Sequence, residues 1–169
     1  DVKSQTTYDM KNSVLFLNGE FWGMYVITEK FSSEFFASHY GIPKDDVVFI
    51  KEEDIKEGSQ EEYTNLVNFM DLYSQKDLSD SKNYADVSNI IDIDSIIDHY
   101  AINIYLATYD WPNHNFGLWK YNGNKINGNE FSDGKWRFMT YDLDYTIGKT
   151  YADFGGVEGY QYDMFRHMD

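Results

Sequence analysis

Two β-rich runs in "SVLFLNGEFWGMYVITEK" flank Asn18-Gly19. Both central residues of a tight hairpin turn need φ > 0, which Asn and Gly tolerate best, so the pattern predicts a β-hairpin. "SSEFFASHYG" predicts a short helix, capped by Ser32 or Ser33 and ended by Gly41. "DDVVFIKEED" predicts a short strand that ends in charge. In "QEEYTNLVNFMDLYSQ", Tyr63, Leu66, Val67, Met70 and Tyr73 recur at helical spacing. "DIDSIIDHYAINIYLATYD" carries the strongest helical pattern. Its expected buried face is Ile96, Ile97, Tyr100, Ile104 and Ala107, its expected cap is Asp94 or Ser95, and it runs directly into Asp110. Pro112 interrupts. "NFGLWKY" and "KWRFMTY" then predict two strands joined by the Gly- and Asn-rich "NGNKINGNEFSDG", a second hairpin whose return strand brings Asp142 back towards Asn115. The fold class expected is α+β, with antiparallel hairpins packed with helices.

Composition narrows the picture. A chain of 169 residues suits one domain with a sizeable core, and 18% aromatics make that core rich in rings. A net charge of −15 argues against a nucleic-acid or anionic-membrane surface and favours a basic partner or bound cations. No apolar run is long enough to span a bilayer, so no membrane insertion is expected. The absence of cysteine excludes disulfides and thiolate metal sites. The opening "DVKSQTTYD" reads as the cut end of a longer protein, so a missing leader is silent about secretion. A short acidic patch runs from Glu52 to Glu62.

Carboxylates and amides set among apolar residues are costly unless partnered. "YDWPNHNFGLW" places Asp110, Asn113, His114 and Asn115 together, and "RFMTYDLDYTIG" places Asp142 and Asp144. A helix ends in an Asp, a loop sets an Asn five positions on, and a hairpin returns with a second Asp. Protein kinases lay out a catalytic base, a magnesium-binding Asn and a magnesium-binding Asp in this order. Magnesium takes oxygen ligands and shares phosphate oxygens and waters, which fits such a set. The same residues also suit plainer roles: Asp110 at a helix end, Asn113 and Asn115 as turn formers, Asp142 as a strand-end cap. A calcium loop is a further reading of the D-x-D, although "YTIG" follows and the EF-hand series is missing.

Three blocks in order, "LFLNGEFWGMYVITEKF", "YDWPNHNFGLW" and "RFMTYDLDYTIG", resemble the signature blocks of the spore-coat protein H (CotH) kinase family: N-G-E-(aromatic)-x-G-x-Y-x-x-x-E, then D-x-x-x-H-N after a long helix, then a hydrophobic strand ending in D-x-D. The resemblance spans roughly Asn12 to Lys149, a stretch typical of one domain. It implies an atypical protein-kinase-like fold that binds ATP and Mg2+ and transfers the γ-phosphoryl to Ser or Thr of a protein. Carried over to this chain, Asp110 would be the catalytic Asp. Asp142 would be the main metal ligand, Asn115 would help hold the metal, and Asp144 would support it. His114 matches the motif His, which either orients the loop or is a satisfied core histidine.

A kinase also needs a cation on the α- and β-phosphates, held by a Glu. Glu29 matches the family Glu, and Lys51 follows an apolar strand where the family often has a Lys. Lys30, next to Glu29, is expected on the opposite face as a solvated charge. Family members usually carry more sequence on either side of these blocks. The chain is therefore expected to be a single kinase-like domain fragment over residues 1–169 with its flanks absent, a fragment that can fold and yet be inactive. The expected partner is a protein substrate, basic and Ser-rich to suit the acidic surface. The expected location is the spore coat, the cell surface or the secreted fraction. The competing function is a non-catalytic adhesion or carbohydrate-binding module, with Trp22, Trp111, Trp119 and Trp136 stacking on sugars; Trp119 and Trp136, on predicted strands, suit the core better.

Overall fold

A computed structural model describes residues 5–108, 111–112, 114–143 and 146 of the chain. Asn18 and Gly19 both take left-handed φ, 52° and 86°, so the chain reverses within two residues. Strand β1 (Met10–Leu17) then pairs antiparallel with β2 (Glu20–Thr28). The register shifts between Leu15 and Phe16, which leaves Trp22 as the extra residue of a bulge.

Helix α1 (Ser33–Tyr40) starts where the Ser32 hydroxyl accepts the Phe35 N–H (3.3 Å) and ends at Gly41, whose φ of 64° turns its N–H back to the Ala37 carbonyl. Strand β3 (Val47–Lys51) turns through Glu52 and Glu53 into β4 (Asp54–Glu57), so the acidic patch hides a strand. Helix α2 (Gln60–Ser74) buries Leu66 and half-buries Tyr63, Val67, Phe69 and Tyr73, while Met70 points to solvent.

Helix α3 (Ser81–Ile90) was not expected. It holds few apolar residues and buries Val87, and Asp80 fixes its start by accepting the Lys82 (2.8 Å) and Asn83 (3.3 Å) N–H groups. Helix α4 (Ile93–Leu106) precedes β5 (Gly117–Tyr121) and β6 (Arg137–Met139). Strands β3 to β6 form one antiparallel sheet in the order β4-β3-β5-β6.

Helices cover both faces of this sheet, so β3 reads as an unbroken apolar run. Val47 and Phe49 join Phe35, Phe36, Trp119, Tyr121, Met139 and Tyr141 in a ring-rich core beneath α1. Val48 and Ile50 join Leu66, Ile91, Leu118 and Trp136 on the opposite face, beneath α2. The fold is thus α+β, with antiparallel hairpins and packed helices as expected.

Helix α4 corrects the expectation of an apolar buried face. Its cap is Asp92, one turn earlier than Ser95, whose N–H it accepts at 3.1 Å. Ile97 is 57% exposed and Tyr100 42%, whereas Ser95, His99 and Asn103, spaced four apart, are buried. The reason lies in the neighbour. Helix α4 lies along β6, the edge strand of the sheet, and an edge presents unpaired backbone groups that need polar partners. The Ser95 hydroxyl accepts the Phe138 N–H at 2.7 Å and donates to the Phe138 carbonyl at 3.4 Å.

Candidate active site

The register of the β5–β6 hairpin decides what meets at its open end. Gly117 pairs with Met139. Beyond that pair the two strand ends stay in touch, because the Tyr141 hydroxyl donates to the Phe116 carbonyl at 2.8 Å. On the other side Gly117 pairs with Lys51, the last residue of β3. Lys51 lies on the Val47–Phe49 face by strand alternation, and its ammonium stands 4.5 Å from the centre of the Tyr141 ring. Asn115 is buried, and its N–H donates to Glu52 Oε1 at 3.4 Å.

A cavity of ≈ 500 Å³ opens at this end of the sheet. Glu29, Lys51 and Asp142 line it together, with Lys30, Lys56 and Glu57. Lys30 does not turn away as expected, because β2 ends at Thr28 and strand alternation stops there. Glu29 is held by Asp9 N–H (3.0 Å) and the His39 ring (3.0 Å), and these two bonds keep its carboxyl below the usual carboxylate range. Among the described residues, Glu29 thus engages α1 and Lys51 faces Tyr141, so the lysine–glutamate pair of a closed kinase site is not formed. Burial pushes the Tyr141 hydroxyl pKa upward, with Glu52 and Asp142 adding to it, so this hydroxyl stays protonated beside Lys51.

Asn115 and Asp142 share a backbone feature. Their φ values are 61° and 57°, in the left-handed region that side-chain-bearing residues seldom enter. Asn and Asp tolerate it better than other residues, yet such conformations concentrate at functional sites. Ala107, which caps α4 three residues before Asp110 in sequence, is also left-handed at 52°. Thr108, which follows it, has a buried hydroxyl with no hydrogen-bond partner among the described residues. His114 is exposed, which removes the core-histidine reading. Asp110, Asn113 and Asp144 lie outside the described residues.

The family model described as CotH kinase protein matches residues 5–168. The chain belongs to the CotH kinase family. That match extends past both ends of the three motif blocks. No curated protein matches the chain.

Membership in the CotH kinase family makes this a kinase-like enzyme, and it gives Asp142 on the cavity wall, and the buried Asn115 outside that wall, a candidate use. An Asp carboxylate and an Asn amide are donors that a hard cation accepts, so the residues present fit magnesium. Among the described residues no group of three or more His, Cys, Asp or Glu side chains is arranged to hold a metal. The sugar-stacking alternative loses most of its platform. Trp111, Trp119 and Trp136 are buried, and Trp22 is exposed. Among the described residues no helix is long and apolar enough to cross a membrane.

Sequence reasoning missed His99. The motif histidine is exposed, and the buried one sits on α4. Its Nε2 accepts the Trp111 indole N–H at 3.0 Å and its Nδ1 meets Thr140 Oγ1 at 3.2 Å. Burial lowers its pKa to about 4. The available signal was its four-residue spacing from Ser95 and Asn103, a polar stripe on a helix otherwise rich in isoleucine.

Proposed function

We propose that this domain carries out ATP- and Mg2+-dependent phosphoryl transfer to Ser or Thr of a protein. The observation that carries the proposal is the cavity itself. In a chain of net charge −15, one cavity gathers Lys30, Lys51 and Lys56 among Glu29, Glu57 and Asp142. Three ammonium groups set among carboxylates give a place for a polyphosphate together with its cation.

The residues divide the work. Lys51 neutralises non-bridging phosphate oxygens, and Glu29 orients the lysine when the cavity closes on nucleotide. Asp142, with Asn115 and Asp144, would hold magnesium, which when bound offsets phosphate charge. Asp110 faces the acceptor hydroxyl. As the Ser or Thr oxygen bonds to the γ-phosphorus, the bond from that phosphorus to the β–γ bridging oxygen breaks, ADP leaves and Asp110 takes the hydroxyl proton. The acidic surface favours a basic, Ser-rich acceptor, and the family association favours the spore coat or another exposed surface as the place of action.

Radiolabelled ATP with a basic Ser-rich protein tests the assignment. Asp110→Ala in the full-length protein is expected to lower transfer roughly 10²–10⁴-fold and to leave nucleotide binding close to wild type. Asp142→Ala is expected to weaken both. Unchanged transfer in Asp110→Ala would remove it from the catalytic role.

A further inference from the structure

We infer that His99 is a positioning residue that ties the loop following Asp110 to the strand end preceding Asp142; the inference rests on the phosphoryl-transfer reading above. The geometry is a directed hydrogen-bond chain. An indole N–H can only donate, so the 3.0 Å contact from Trp111 Nε1 makes His99 Nε2 an acceptor. His99 is fully buried, with no counter-ion among its described contacts, so it is neutral and its proton resides on Nδ1. That proton goes to Thr140 Oγ1 at 3.2 Å. Thr140 then donates to Gln5 Oε1 at 2.5 Å, and Gln5 Nε2 donates to the Ser95 carbonyl at 2.7 Å.

Every donor in the chain has an acceptor, and α4 anchors it at two points, the His99 ring and the Ser95 carbonyl. Asn103 reinforces the histidine's own turn by donating to the His99 carbonyl at 2.9 Å.

The position of this chain gives it meaning. Trp111 directly follows Asp110, and Thr140 lies two residues before Asp142. Thr140 is also pinned through its N–H to the Thr6 carbonyl at 2.9 Å. One imidazole therefore sets the spacing between the two segments that must act on the same phosphoryl group. An apolar core would hold them too, but with no preference for one sliding position, whereas a donor–acceptor chain fixes a single one. A shift on the order of 1 Å between groups in a reacting site costs about 10²-fold.

The test compares His99→Phe, His99→Gln and Thr140→Val in the full-length protein. Phenylalanine fills the space and leaves Trp111 and Thr140 without partners. Glutamine keeps one acceptor and one donor. The expected result is a kcat loss of roughly 10–100-fold for His99→Phe, in the range typical of residues that orient ligands from behind, with recovery to within a few-fold in His99→Gln. Thr140→Val is expected to raise the KM for Mg2+–ATP more than it lowers kcat, since it frees the Asp142 side. A purely structural role predicts lower melting temperature with kcat intact in the folded fraction, and that result would overturn the inference. So would equal kcat in the Phe and Gln variants. If His99→Phe does not fold, Thr140→Val and His99→Gln still decide. Failure of the phosphoryl-transfer reading looks different: wild type itself would neither bind nucleotide nor transfer phosphate. The Trp111 indole proton, protected from exchange in wild type and His99→Gln but not in His99→Phe, would then show the chain to be intact without a catalytic role, overturning the inference along with that reading.

Discussion

Removing Arg137 tests how the two hairpin strands and α4 are held in place. The Arg137 side chain is 5% exposed and lies between two carboxylates. It makes a two-pronged contact with Asp133, Nη1 to Oδ1 and Nη2 to Oδ2 both at 2.9 Å, and its Nε meets Asp92 at 3.1 Å. It also donates to the Lys135 and Glu130 carbonyls, each at 3.2 Å. Asp92 is the α4 cap, so this one guanidinium joins β6 to the start of the helix that leads to the site.

Arg137→Met keeps the aliphatic stem and strands both carboxylates. Breaking a buried ion pair by deleting one partner costs about 3–5 kcal/mol. Asp92 and Asp133 are 23% and 25% exposed, so water relieves part of the loss and the lower end applies, about 3 kcal/mol. For a chain of this size that is a fall in Tm of roughly 6–12 °C. Arg137→Lys, which keeps charge but not the fork, should fall between.

The effect carries a pH signature. Burial alone would raise the Asp133 pKa, but hydrogen bonds from Arg137 and the Lys135 N–H hold it below the ordinary value. A depressed carboxyl contributes stability above its unfolded pKa and loses it as pH falls through the folded one. The gap between wild type and Arg137→Met should therefore be full at pH 7 and narrow below about pH 4. Thermal unfolding followed by circular dichroism across that range is the assay. A Tm within about 2 °C of wild type at pH 7, or a gap independent of pH, would refute the reasoning.

Other expectations follow from buried polar groups. His99 titrates near 6.5 when unfolded and at about 4 when folded. The unfolded chain therefore binds the extra proton first, and stability falls as pH drops from 6.5 towards 4, by on the order of 3 kcal/mol from this residue. Chemical denaturation at pH 7 and pH 4 should show that share missing in His99→Gln, and an unchanged pH slope would contradict it. Thr108→Val removes a buried hydroxyl that has no partner among the described residues and should stabilise the fold by about 1 kcal/mol; a lower Tm in calorimetry would show that the hydroxyl is satisfied.

Local signals in the sequence carried far. Asn18-Gly19, the Ser32 cap and the Gly41 stop act within a few residues, so they could be read directly. The β5–β6 hairpin followed from two β-rich runs around a turn. What stayed hidden was decided by contacts distant in sequence. The polar face of α4 exists because β6 is an edge, and nothing in the helix announces its neighbour. Helix α3 depends on one cap and one buried valine. Lys30 joined the cavity because β2 stops two residues earlier, and strand ends are set by pairing more than by residue type. The His99 chain joins Gln5, Ser95, Trp111 and Thr140, a set that only the fold assembles.

The cavity lined by Glu29, Lys51 and Asp142 is proposed to be a nucleotide–metal site. Crystals soaked with manganese and a non-hydrolysable ATP analogue address it most directly. An anomalous peak is expected at bonding distance from Asp142, with Asn115 in the same coordination sphere and the Lys51 ammonium on a phosphate oxygen. Nucleotide bound elsewhere, or manganese at a site that does not include Asp142, would contradict it.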